Sequence, residues 1–136
     1  MTALIADGLF RVDNEQVVLL GSRRRSTGSV KFPAERQELF EGVDDIEPLG
    51  LSGEGTLYTF TTQEFAPPLP YRGKRGEDFR PYVVGFVELP EGLLVETLVV
   101  GATSDQLRIG QRMVATTTTF ETTEGESLLT YAFRPI

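Results

Sequence analysis

The feature that most constrains this chain is a succession of strand-forming runs in its second half, cut by turn residues at short intervals. Leu51 to Thr62 is rich in Thr, Tyr and Phe, which suit a pleated, half-buried surface. Gly53 and Gly55 interrupt it at positions that permit a bulge or a sharp coil. Tyr82 to Leu89 and Leu93 to Val100 are strong strand candidates joined by the hairpin loop Pro90-Glu91-Gly92. Thr103 to Leu107 supplies helix-capping chemistry and about one helical turn, ending before Gly110. Arg112 to Glu121 and Leu128 to Arg134 complete the set, with Glu124-Gly125-Glu126 as the turn between them.

Five strands, a meander of three and then a short helical connector before the fourth, form the order expected of an OB-fold barrel. The expected class is therefore all-β. At 136 residues the chain suits one compact domain with a small appended lobe. The first part is less regular. Leu4, Ile5, Leu9 and Phe10 fit a short helix or an arm between Leu4 and Arg11. Val17 to Leu20 reads as a strand ending at Gly21, Ser26-Thr27-Gly28 as a turn, and Val30 to Phe32 as the returning arm before Pro33. Gln37 to Glu47 reads as an acidic connector without hydrophobic period.

Composition excludes much chemistry. The chain has no cysteine and no histidine, so disulfides, thiol nucleophiles, His-based relays and thiolate or imidazole zinc sites are ruled out. No Asp-rich calcium loop appears. Gly53-x-Gly55 is no dinucleotide fingerprint, because Tyr58 stands where the third glycine belongs and a strand follows. The adjacent acids Asp44-Asp45 and Glu77-Asp78 read as solvated, and the Thr116 to Thr119 run as strand propensity without a base beside it. No catalytic residue is assigned. No apolar run reaches the ~18 residues that a membrane span needs, and the N-terminus lacks a signal pattern, so a cytoplasmic protein is expected.

The net charge of −7 is unevenly spread. Between Gln16 and Ala34 the only charges are Arg23, Arg24, Arg25 and Lys31, whereas Glu35 to Glu54 carries seven acids against Arg36 alone. This balance argues against general nucleic-acid binding, which relies on phosphate neutralisation. A single-stranded nucleic-acid module stacking bases on Tyr58 and Phe60 remains the alternative.

From Gly21 onward the chain resembles a known family. The resemblance rests on Gly28 and Phe32-Pro33, Gly53-Glu54-Gly55-Thr56-Leu57-Tyr58-Thr59-Phe60, Tyr82 to Leu89, Glu91-Gly92, Leu107 to Val114 and Phe133-Arg134-Pro135 in that order. It resembles the acyl-CoA-associated zinc-ribbon/OB-fold proteins, domain of unknown function thirty-five. Where that family carries its ribbon cysteines, in the pattern C-x-x-C-G-x-x-x-F-P and a second C-x-x-C, this chain has Arg24, Thr27, Glu38 and Glu41. The resemblance implies residues 1–48 as an N-terminal arm and relict, metal-free ribbon-like lobe, and residues 49–136 as the barrel. It implies a non-catalytic accessory subunit of a thiolase-superfamily enzyme. That enzyme would be a thiolase or thiolase-like aldolase of lipid, steroid side-chain or aromatic-acid metabolism, or a partner associated with a MaoC-like hydratase. Acyl-CoA would be met at a shared interface, with no structural metal; a stand-alone acyl-CoA-binding protein is the alternative within the resemblance. Pairing of Arg24 with Glu38 or Glu41, and packing of Val30 and Phe32, are the expected substitutes for zinc.

The long loop from Phe65 to Pro81 is the expected contact element, because its prolines lower the entropy lost on docking. Phe65, Leu69, Tyr71 and Phe79 are the candidate partner-binding residues. Arg72, Lys74 and Arg75 in the loop, with Arg24 in the ribbon segment, are the candidates for CoA phosphates or acidic groups.

Overall fold

The structure, a computed structural model, describes residues 3–4, 8–35, 44–69 and 71–136. The strand-forming runs do pair as a barrel. Preceded by five strands of the N-terminal part, β6 (Glu54–Gln63), β7 (Tyr82–Glu88) and β8 (Leu94–Val99) form an antiparallel meander. Strand β9 (Arg112–Glu121) pairs along its length with β10 (Ser127–Pro135). Two contacts close the ring: β9 meets β6 at Val114↔Glu54, and β10 runs parallel to β8 at Ala132↔Leu98 and Phe133↔Val99. This is the OB arrangement, a five-stranded barrel closed by short contacts at β6–β9 and β8–β10.

Burial alternates as a pleat requires. Val95, Thr97 and Val99 of β8 point inward, as do Leu128, Thr130 and Ala132 of β10. Leu57, Val87, Leu89, Met113 and Phe133 fill the centre with essentially no exposed surface. Gly55 is there because a Cβ would come within 2.5 Å of the Glu88 carbonyl oxygen. The bulge expected near the paired glycines lies further on, at Tyr58, where the β6–β7 register shifts between Leu57 and Thr59. The connector before β9 is a 3₁₀ turn, Ser104–Gln106, held where Gln106 Oε1 accepts the Thr103 N–H at 2.9 Å; it seats Leu107 in the core.

The N-terminal part is a second, smaller sheet. Residues Ala3–Leu4 (β1) lie parallel to β10 at Leu128 and Leu129, and Phe10–Asp13 (β2) pairs with β3 (Gln16–Arg24). Of the short helix or arm expected between Leu4 and Arg11, the described residues do not form the helix; they are strand at Leu4 and from Phe10 onward. Phe10 begins strand β2 and is buried, and Leu9 before it packs against the core, so their apolar character marks a strand entry and not a helical face. Residues Asn14 and Glu15 make the two-residue hairpin turn, both at positive φ (48° and 67°). Strand β3 does not stop at Gly21. It runs on to Arg24, flanked by β4 (Val30–Lys31) and β5 (Ile46–Gly50). The end of the expected acidic connector is therefore strand, and residue 48, where the lobe was expected to end, lies inside it. Phe10, Val17 and Leu19 of this sheet belong to the same buried cluster as Leu57 and Phe133. The Tyr131 ring receives Phe10 and Phe32 edge-on, at 6.2 and 5.5 Å between centroids. Among the described residues no helix is long and apolar enough to cross a membrane.

Candidate functional site

The loop between β6 and β7 is pinned to the β9–β10 hairpin at its middle and leaves Phe65 and Leu69, on the side nearer β6, in solvent. Gly73 forms an antiparallel bridge with Thr122, and the Thr123 N–H donates to the Arg72 carbonyl at 3.1 Å. Lys74 Nζ lies 3.2 Å from Glu121 Oε2, and Arg72 Nη2 3.5 Å from Glu126 Oε1. Tyr71 packs edge-on against Phe120 with centroids 5.8 Å apart, and the Arg75 guanidinium sits 5.4 Å over the Tyr71 ring. Glycine at 73 is required by this packing, since a Cβ would enter the Tyr71 ring and crowd Phe120. Phe79 lies against Tyr82 at 6.0 Å, and Arg80 Nη1 donates to the carbonyls of Glu77 and Phe79.

The four expected partner-binding residues therefore separate into two kinds. Tyr71 and Phe79 are half-buried against the barrel, whereas Phe65 and Leu69 are each 80% exposed. Burial pushes the Tyr71 and Tyr82 phenols up from their ordinary pKa, with Arg75 partly opposing the shift at Tyr71, so neither is disposed to act as a base near neutrality. Behind the loop lies a groove of about 590 Å³, bounded by Tyr71, Phe79, Tyr82, Val100 and Phe120 among others.

The arginine run has a different surrounding. Arg24 grips Glu35 with a two-pronged contact, Nε to Oε1 at 3.1 Å and Nη2 to Oε2 at 2.8 Å. Arg23 reaches Glu47 at 2.6 Å, and Arg25 reaches Asp44 at 3.1 Å and Glu47 at 3.4 Å. Asp45 accepts the Ser26 N–H at 2.8 Å and its hydroxyl at 2.7 Å. The hydrogen bond from Arg24 holds the Glu35 carboxyl below the usual range; Arg23 does the same for Glu47, and Ser26 for Asp45. Glu38 and Glu41, the expected partners of Arg24, lie outside the described residues. Reasoning along the chain missed Glu35, Asp45 and Glu47, although the block of acids following a block of arginines was the available signal. Thr27 remains in the turn, where its hydroxyl accepts the Ser29 N–H at 3.2 Å.

Among the described residues no cluster of three or more carboxylates is placed to hold a metal ion. Glu77 and Asp78 sit exposed in a 3₁₀ turn, Gly76–Asp78. Tyr58 is exposed at the bulge, but Phe60 turns towards the core, so the two do not form a shared stacking platform.

Comparison with known proteins agrees with this architecture. Residues 50–118 match the family described as ChsH2, C-terminal OB-fold domain. A DUF35 domain-containing scaffold protein of Methanocaldococcus jannaschii is 29% identical over 125 residues, covering 90% of this chain and 84% of the relative. A solved structure described as the Ltp2-ChsH2(DUF35) aldolase superposes with a TM-score of 0.58 at 28% identity, covering 87% of this chain and 84% of that one. With barrel topology, the match over residues 50–118 and the order of sequence landmarks in accord, the chain belongs to the ChsH2 C-terminal OB-fold family, of DUF35 type.

Proposed function

We infer that this chain is a non-catalytic accessory subunit that docks a catalytic partner of the thiolase superfamily acting on acyl-CoA. The observation that carries the reading is the loop itself: Phe65 and Leu69 stand 80% exposed on a segment whose middle is anchored to the β9–β10 hairpin. Two large apolar side chains held in water on a tethered loop lose little further freedom on docking and bury their full area when a partner pocket receives them. The relatives support this direction, one being described as a scaffold protein and another as a component of an aldolase. Lys74 and Arg72 lie at the pinned part of the loop, in exposed ion pairs. Such pairs are worth about 0–1 kcal/mol, so their cations can exchange onto acidic groups of a partner or of CoA at small cost. The absence of cysteine and histidine leaves acyl transfer chemistry to the partner.

The test is affinity purification of the tagged chain from its host at moderate salt, followed by mass spectrometry. A thiolase-like protein recovered in fixed stoichiometry, and lost when Phe65→Ala and Leu69→Ala are combined, is the expected result. Recovery of the chain alone as a monomer would reject the reading. Tyr71→Ala and Phe79→Ala make poorer probes, because both rings also support the barrel surface.

A further inference from the structure

We propose that the groove between the β6–β7 loop, the end of β8 and the β9–β10 hairpin is a binding site for a small, uncharged, largely aromatic molecule. The docking side chains Phe65 and Leu69 do not line the groove, and Lys74 is the one residue that both readings use. Its volume of about 590 Å³ lies within the range of small-molecule sites. Its walls are aromatic and aliphatic: Tyr71, Phe79, Tyr82, Phe120, Val99 and Val100. Rings at these positions offer edges and faces on which a second aromatic system packs favourably.

The polar groups define the class further. The lining contains Lys74, Asp78, Arg80 and Glu121, two cations and two anions, so its formal charge cancels. Lys74 and Glu121 are already paired with one another. An anion drawn to Arg80 meets Asp78 on the same rim, and it approaches a chain whose net charge is −7. A neutral ligand meets neither repulsion. Thr118 and Thr130 face one another across the β9–β10 pair and both line the groove. Thr130 is buried and makes only a 3.4 Å contact to the Tyr131 carbonyl, while the Thr118 hydroxyl has no partner among the described residues. These hydroxyls can receive one donor or satisfy one oxygen of a ligand that is otherwise apolar.

A matched pair of fluorescent probes tests both the site and its charge preference. N-phenyl-1-naphthylamine is neutral, and 1-anilinonaphthalene-8-sulfonate is the same ring system with a sulfonate added. The folded protein is expected to bind the neutral probe saturably, one per chain, with a dissociation constant on the order of 10 μM. Val100→Trp, which fills the groove from its wall, should weaken that binding at least ~10-fold. Val12→Trp, at an exposed position on β2 that does not line the groove, should not. Thr118→Val keeps the side-chain shape and removes the hydroxyl, so it should weaken binding roughly 2–10-fold without changing the unfolding midpoint appreciably. That variant serves if Val100→Trp fails to fold. Absence of saturable binding, equal affinity in both groove variants and the parent, or tighter binding of the sulfonated probe would each overturn the proposal. None of these results depends on whether a thiolase-like partner is recovered.

Discussion

Among the described residues, Glu15 is the one whose backbone is most out of keeping with its side chain. It occupies the second position of the β2–β3 turn at a φ of 67°, a region that costs a non-glycine L-residue about 1–2 kcal/mol. Asn14 before it tolerates that region far better. Glu15→Gly is therefore expected to stabilise the protein by up to about 1 kcal/mol, after subtracting the unfolded-state entropy that glycine adds. Urea titration would show a higher midpoint at an unchanged slope; an unchanged or lower midpoint would mean that the turn is not strained. The turn was not legible in the sequence because the usual signal is Asn-Gly, and here glutamate fills the glycine position. Phe65 and Leu69 were legible as contact candidates because a proline-rich loop of that length is plainly exposed. Their separation from Tyr71 and Phe79 was not, since it depends on Phe120 and Tyr82, which only the folded chain brings alongside. Phe65→Ala with Leu69→Ala should leave the unfolding midpoint within about 0.5 kcal/mol per site of the parent while weakening partner binding by about 2 kcal/mol or more.

At the scale of elements, the barrel strands were readable, and of the N-terminal sheet only the core of β3, the turn after it and the returning β4 were. Strand β9 occupies Arg112–Glu121, as its Thr-rich run indicated, and β7 and β8 differ from expectation only at their ends. These strands carry their own evidence, in alternation and in flanking turns. Strand β5 does not. Pro48 breaks its donor pattern and Glu47 sits where an apolar residue would mark a strand, yet pairing with β3 from Leu20 to Arg24 imposes the extended form. The arginines of β3 then meet the acids beside and within β5, and this gives the sheet a pH dependence. Glu35, Asp45 and Glu47 are held below their ordinary carboxylate range in the folded state by Arg24, Ser26 and Arg23 respectively. Their stabilising effect is complete above the unfolded values of about 4 and disappears as pH falls through the lower folded values. Unfolding midpoints measured between pH 7 and pH 2.5 should fall with acidification, and Glu35→Gln should flatten the acid limb while lowering the plateau at neutral pH. A plateau unaffected by Glu35→Gln would mean that Arg24 and Glu35 do not hold this end of the sheet.

At the scale of the molecule, the two sheets share one interior. Leu19 of β3 is fully buried in the same cluster as Leu57 and Phe133, and Phe10 and Phe32 both reach Tyr131 on β10. A lobe bounded at residue 48 and able to unfold by itself would have to strip that core from the barrel, which makes a single cooperative transition the expected behaviour. The chain lacks tryptophan, so one can be introduced as a reporter at exposed Val12 on β2 or exposed Tyr58 on β6. Val12→Trp and Tyr58→Trp should report the same thermal midpoint. Adding Leu19→Ala to each should lower both together by about 2–5 kcal/mol, the cost of a large cavity in a packed core. If only the β2 reporter moved, the N-terminal sheet would be a separate unit. The same pair of reporters tests the expectation that no metal supports the N-terminal sheet. A structural zinc contributes on the order of 10–16 kcal/mol, so stripping one would shift the midpoint by tens of degrees. The packing of Phe10, Leu19 and Phe32 and the Arg24–Glu35 grip require none. EDTA is therefore expected to leave both midpoints in place, whereas a large chelator-induced fall confined to the β2 reporter would show a metal holding the N-terminal sheet to the barrel.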